Sequence, residues 1–149
     1  MRWMVLAAAV LAGCGRSGGA GLGSAGDLEV VRGFAYAPKS NSQMAAYVTI
    51  VNHGRTADTL YELHSARASM AMVHRQDPST GVVRMEPTGP LAIAPGDSLV
   101  LAPGGLHVML DITGTNPPQK GDSLPLTLRF SHAGPLTVAL PVKAYEDES

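Results

Sequence analysis

Leu124-Pro125-Leu126-Thr127-Leu128-Arg129-Phe130, the turn His132-Ala133-Gly134-Pro135, and Leu136-Thr137-Val138-Ala139-Leu140-Pro141-Val142 together decide the fold class. In both arms apolar residues recur at every second position, the period that sets one side of a strand against a core. Between the arms a glycine permits positive φ and a proline removes a ladder donor, so the chain is expected to turn there.

Working outward, the same grammar covers the chain from residue 28, and long 3.6-residue apolar patterns are missing. Strands are predicted at Leu28 to Ala35, Ala45 to Asn52, Thr59 to Ser65, Met70 to Gln76, Val82 to Glu86, Ser98 to Leu101 and His107 to Thr113, besides the two arms. The punctuation comes from Asn52-His53-Gly54, Pro78-Ser79-Thr80-Gly81, Ala94-Pro95-Gly96-Asp97 and Ala102-Pro103-Gly104-Gly105. About nine short strands predict an all-β, antiparallel β-sandwich of immunoglobulin-like or cupredoxin-like type. No internal repeat is evident, and the acidic end, Tyr145-Glu146-Asp147-Glu148-Ser149, is expected to fray.

The 149 residues, 45% hydrophobic with a formal charge of -1, suffice for one domain. No Lys/Arg cluster supplies the electrostatic footprint of a nucleic-acid binder, and no stretch longer than the N-terminal one could span a bilayer. The single cysteine allows neither an internal disulfide nor a thiolate zinc site. A metal would have to be held by other residues.

At the N-terminus, Arg2 precedes the apolar run Trp3 to Ala12, too short for a permanent membrane helix, and Leu11-Ala12-Gly13-Cys14 resembles the lipobox of bacterial lipoproteins. Residues 1–13 are therefore expected to be a lipoprotein signal peptide and Cys14 the lipidated residue. Residues 14–27, rich in Gly and Ser, are expected to form a flexible linker, and 28–149 the folded domain with its short acidic tail. This places the protein in the periplasm or cell envelope, anchored to a membrane by lipid.

Histidine and methionine carry the chemistry. Taken singly, Met44, Met70, Met72, Met85 and Met109 read as core packing, and histidines on strands as solvated side chains. Position changes that balance. Side chains two apart on a strand share a face about 7 Å apart, so His107 and Met109 project together, as do Met70, Met72 and His74. His74 and Met85 flank the turn at Pro78 to Gly81 and are expected to be cross-strand neighbours, while the Pro103-Gly104-Gly105 turn delivers His107 and Met109 from a third segment. Imidazole with thioether selects soft Cu(I) over Mg²⁺ and Ca²⁺. Thioethers also form no disulfides in an oxidising compartment.

His74, ten residues, Met85, twenty-one residues and His107-Val108-Met109 form a spacing that resembles that of the periplasmic copper chaperones of the PCuAC family. Pro103 to Leu110 and Gly121 to Phe130 resemble the family's usual segments, and the likeness covers roughly Ala45 to Val142. The resemblance implies a cupredoxin-like sandwich holding one Cu(I) through His74, Met85, His107 and Met109. It also implies delivery to a copper-accepting protein, such as the copper centres of cytochrome c oxidase or another copper assembly factor, or a role in periplasmic copper homeostasis. The chain departs from the family pattern in Asp111, read as a solvated carboxylate, and in the Met-rich Ser69-Met70-Ala71-Met72-Val73. Met72 reads as core packing, with an extra sulfur ligand as the alternative. His53, His64 and His132 read as solvated.

The leading expectation is a monomeric, lipid-anchored Cu(I) carrier and not an enzyme. The alternative is a metal-free envelope sandwich that contacts another protein, with its methionines packed. Blue-copper electron transfer needs a Cys ligand, and Cys14 stands before a linker. No nucleophile elbow suggests hydrolase chemistry.

Overall fold

In the computed structural model, which describes residues 21–39, 42–77, 79, 81 and 84–145, eleven strands follow one another: β1 (Gly23–Ala25), β2 (Leu28–Tyr36), β3 (Gln43–Asn52), β4 (Asp58–His64), β5 (Ala68–Asp77), β6 (Arg84–Pro87), β7 (Leu91–Ile93), β8 (Ser98–Val100), β9 (Leu106–Ile112), β10 (Ser123–Phe130) and β11 (Gly134–Lys143). No α-helix is found among the described residues.

Alternation in sequence becomes alternation in burial. Leu124, Leu126, Leu128 and Phe130 of β10 and Leu136, Val138, Leu140 and Val142 of β11 all point into one core, and the two strands pair antiparallel around a turn that ends at Gly134, φ 81°. Met44, Ala46, Val48 and Ile50 of β3 and Val108, Leu110 and Ile112 of β9 close that core from the opposite side.

The strand order is β6-β5-β9-β3-β2-β11-β10-β4-β7, with β1 added to β2 and β8 to β3. The expected all-β sandwich is present, with one difference from a purely antiparallel build. β11 meets β2 in parallel, Val142 opposite Ala35 and Lys143 opposite Tyr36, a pairing that needs a long crossover. The whole of β3 to β10 supplies it, and this seam curls the two antiparallel halves over each other.

Two β-bulges set which side chains face outward. In β2 the extra residue is Val31, because Val30 stands opposite Ile50 and Arg32 opposite Thr49. Beyond it Ala35 faces the core, and Phe34 and Tyr36 take the opposite face with Tyr47 in an aromatic cluster that leaves Tyr36 buried. In β5 the extra residue is Ser69: Ala68 stands opposite Ile112, and Met70 opposite Asp111. Ala68 packs against the core, but past the bulge Ala71 and Val73 take the core side while Met70, Met72 and His74 turn outward.

Several elements differ from the expectations. The linker expected to run to residue 27 is already folded at its end, where Gly23–Ala25 pairs with Leu28 to Val30. β3 begins at Gln43, ahead of Ala45. β6 covers Arg84–Pro87 where Val82 to Glu86 was expected, residues 82 and 83 lying outside the described residues, and the short β7 was not expected. In the expected frayed end, Tyr145 stacks on Tyr36 with centroids 4.4 Å apart, and Lys39 Nζ sits 4.2 Å over its ring. Residues 1–13, Cys14 and the tail beyond Tyr145 lie outside the described residues.

Candidate metal site

Three neighbouring strands bring the predicted residues to one outer face. β5 and β9 pair so that His74 stands directly opposite His107 and Met72 directly opposite Met109. Cross-strand partners have Cβ atoms about 5 Å apart, so two imidazoles and two thioethers occupy adjoining rungs. On the far side of β5, Pro87 is opposite His74 and Met85 opposite Gln76. Met85 is thus a diagonal neighbour of His74 on the same face, one rung displaced from the direct pairing that a tight hairpin suggested.

The turn at Ala102 to Gly105 positions His107. Gly104 holds φ at 83°, a region open to glycine, and Gly105 N–H closes the turn onto the Ala102 carbonyl at 3.1 Å. The Gly105 carbonyl then accepts from His107 Nδ1 at 3.1 Å and from the Gln76 amide at 3.3 Å. A carbonyl only accepts, so Nδ1 carries the proton, and the lone pair of the neutral ring lies on Nε2. This carbonyl had no side-chain signal in the sequence.

His107 is 4% exposed, and its buried Nε2 and the buried Nδ1 of His74 have no hydrogen-bond partner among the described residues. Buried nitrogens without partners are costly, and a bound ion would satisfy both. The ring centroids are 6.0 Å apart and the planes 78° inclined. With a metal about 2.0 Å from an imidazole nitrogen, that separation is one that a single ion can bridge. Burial is the largest influence on His74 and lowers its pKa below the ordinary 6.5; His107 nearby lowers it further and Asp111 opposes. The neutral, metal-ligating form of His74 is thereby favoured.

The methionines divide by environment. Met44 is packed, 1% exposed, whereas Met85 is 50% and Met70 44% exposed; Met72 and Met109 are half-buried on the outer face. Packing accounts for Met44 and gives no account of Met85 or Met70. The core reading of Met72 also gives way, since Ala71 and Val73 occupy the core side of β5. Asp111 is half-buried, not freely solvated, and accepts from Gln43 Nε2 at 3.2 Å. His53, His64 and His132 are exposed; His53 Nε2 meets Glu29 Oε2 at 2.7 Å. No group of three or more His, Cys, Asp and Glu side chains is arranged for a metal among the described residues, so a multidentate site on this face draws on sulfur. Two imidazoles and thioethers, all neutral, suit a soft monovalent ion.

Known proteins carry the same architecture. The family model described as "Putative lipoprotein LpqE-like" matches residues 28–142. A Leifsonia xyli subsp. xyli (strain CTCB07) protein named "Putative lipoprotein Lxx21020" is 34% identical over 103 residues, 68% of this chain, and the chain spans 61% of that relative's length. Among solved structures, the apo PCuAC domain from PmoF1 superposes with a TM-score of 0.67 at 25% identity, covering 81% of this chain and 97% of the other. The copper-bound PCuAC domain from PmoF2 gives 0.67 at 26%, covering 81% and 96%. The solution structure of CuI-DR1885 from Deinococcus radiodurans gives 0.59 at 28%, covering 78% and 79%.

Proposed function

The chain belongs to the LpqE-like family and has the fold of PCuAC domains, and from that premise we propose that it is an extracytoplasmic Cu(I) metallochaperone, a carrier and not an enzyme. One Cu(I) is its cargo, held by His74, Met85, His107 and Met109. The observation that carries this reading is the rung His74–His107, with an unpartnered buried nitrogen on each ring and thioethers of Met109 and Met85 on the same face. The copper-bound state of the PmoF2 and DR1885 relatives supports the choice of ion.

Selective holding and easy release follow from the donor set. Thioether and imidazole select a soft ion, and without a thiolate no ligand charge locks it in place. Exposure is graded, from His107 at 4% to Met85 at 50%, so an acceptor's own donor displaces Met85 first while the buried imidazole still holds the ion. Transfer is ligand exchange with no change of oxidation state. The copper centres of cytochrome c oxidase or another copper assembly factor are acceptors of the right chemistry, and periplasmic copper homeostasis is the other setting. A signal peptide over 1–13 and a lipid on Cys14 would keep the monomeric carrier at a membrane surface in the periplasm, on a linker shortened by β1.

Anaerobic titration of the full chain with Cu(I) against a competing chelator, with copper K-edge absorption of the product, tests the proposal. One tightly bound equivalent with mixed nitrogen and sulfur scattering is expected. Binding no stronger than that of a His74/Met85/His107/Met109 quadruple alanine variant would return the face to the metal-free reading.

A further inference from the structure

The outer face continues beyond those four residues. On the next rung along the β5–β9 ladder Met70 stands opposite Asp111, two residues from the Met72–Met109 rung, and the Ser69 bulge is what turns both β5 methionines to this side. The bulge is tied to β9, where Ser69 Oγ donates to the Asp111 carbonyl at 3.3 Å. Met70, 44% exposed, does not stand singly but continues a row of methionines on one face, and a carboxylate held half-buried beside two thioethers supplies the negative charge that the inner site lacks.

We propose that Met70, Met72 and Asp111 form an outer Cu(I) station, through which the ion enters and leaves the inner site. The proposal rests on the carrier reading above. Successive rungs on one face are about 7 Å apart, and exposure falls along them, from Met70 at 44% through half-buried Met72 and Met109 to His107 at 4%. A cation captured at Met70 and Asp111 passes to Met72, which shares a rung with Met109, and is then within one rung of the two imidazoles. The inward steps exchange the Asp111 carboxylate and the Met70 thioether for the thioethers of Met72 and Met109 and then for imidazole, with no redox change. The outer station has no imidazole, so it binds more weakly than the inner site and fills second.

Selective ¹³C labelling of the methionine methyl groups in the full chain reads both sites separately during anaerobic titration with Cu(I) alone. The first equivalent is expected to shift the Met85 and Met109 methyls. The second is expected to shift Met70 and Met72, and the Met70→Leu/Met72→Leu variant should lose this second phase while keeping the first. Asp111→Asn should weaken the second phase severalfold and the first phase much less. Met70 and Met72 signals that stay still through two equivalents, with Met85 and Met109 shifted, would overturn the station and leave the carrier intact. Met72 moving in the first phase with Met70 still would assign it to the inner set and also overturn the station. No methyl shift at any ratio would overturn the carrier reading first and the station with it.

Discussion

His107 stands directly across the β5–β9 ladder from His74, with 6.0 Å between ring centroids, and its tautomer is fixed by the Gly105 carbonyl at 3.1 Å. On the proposed ligand set, two imidazoles so placed would act as one bidentate unit, so deleting either should cost more Cu(I) affinity than the roughly 10- to 100-fold loss typical of removing a supporting group. His74→Ala and His107→Ala are each expected to lower Cu(I) affinity by over about 100-fold in chelator competition, with unchanged far-ultraviolet circular dichroism. Affinity within a few-fold of the native protein in both variants would mean that the rung holds no copper.

Met85 and Met44 separate ligation from packing. Met44 is 1% and Met85 50% exposed. Met44→Ala should cost about 2–5 kcal/mol of stability through the cavity it leaves and should not change Cu(I) affinity in protein that remains folded. Met85→Ala should change stability by no more than about 0.5 kcal/mol and weaken Cu(I) binding at least tenfold, about 1.4 kcal/mol. Urea denaturation and chelator competition on both variants give the comparison. A Met85 variant that loses stability and keeps its affinity would favour the metal-free sandwich.

How much of this was legible in the chain depends on the range of the interaction concerned. The arms at 124–142 read correctly because every second residue is apolar on both. The shared parity of His107 with Met109, and of Met70 and Met72 with His74, was legible because it is a local property, whereas the side of the sheet that Met72 faces was not, and in the sequence Met72 reads as core. The bulges at Val31 and Ser69 had no such signal: each depends on the register imposed by a partner strand. Gly23–Ala25 has the composition of a linker and becomes a strand because the edge of β2 beside it offers unpaired groups. The parallel β11–β2 seam and the stacking of Tyr145 on Tyr36 join residues distant in sequence, which no periodicity records.

Away from the β5–β9 face, Asp58 is 6% exposed and accepts from the backbone amides of Thr59 at 2.7 Å, Ala133 at 2.8 Å and His132 at 2.9 Å. Burial, the largest single influence, works against the carboxylate, but the three amides and the His132 ring together outweigh it and hold the pKa below 3.8. A depressed folded-state pKa stabilises the fold above the unfolded-state value, and that contribution is lost as pH falls through the folded-state value. Asp58→Asn should therefore cost about 1.5–3 kcal/mol at neutral pH, and the gap to the native protein should close in acid. Urea unfolding at about pH 7 and at successively lower pH follows the gap through this window. A gap that stays constant would mean that the ionised carboxylate contributes nothing to the loop it ties down.

Strand β2 joins the two halves, pairing with β3 on one side and β11 on the other. A Cβ at Gly33 would lie 2.8 Å from Leu140 Cδ2, 3.0 Å from Val48 Cγ1 and 3.0 Å from the Tyr47 carbonyl oxygen. Leu140 and Val48 are buried in the core, and the Tyr47 carbonyl belongs to the paired strand β3, so none can withdraw without disturbing the seam. Gly33→Ala would gain about 0.4–1 kcal/mol from the unfolded chain and lose about 1–3 kcal/mol to overpacking, so net destabilisation is expected in urea unfolding. Because Gly33 lies off the β5–β9 ladder, Cu(I) affinity should be unchanged in the folded variant. A stabilised Gly33→Ala protein would show that β2 shifts freely against β3, and the outward placement of Phe34 opposite Tyr47 would then not depend on close packing at this glycine.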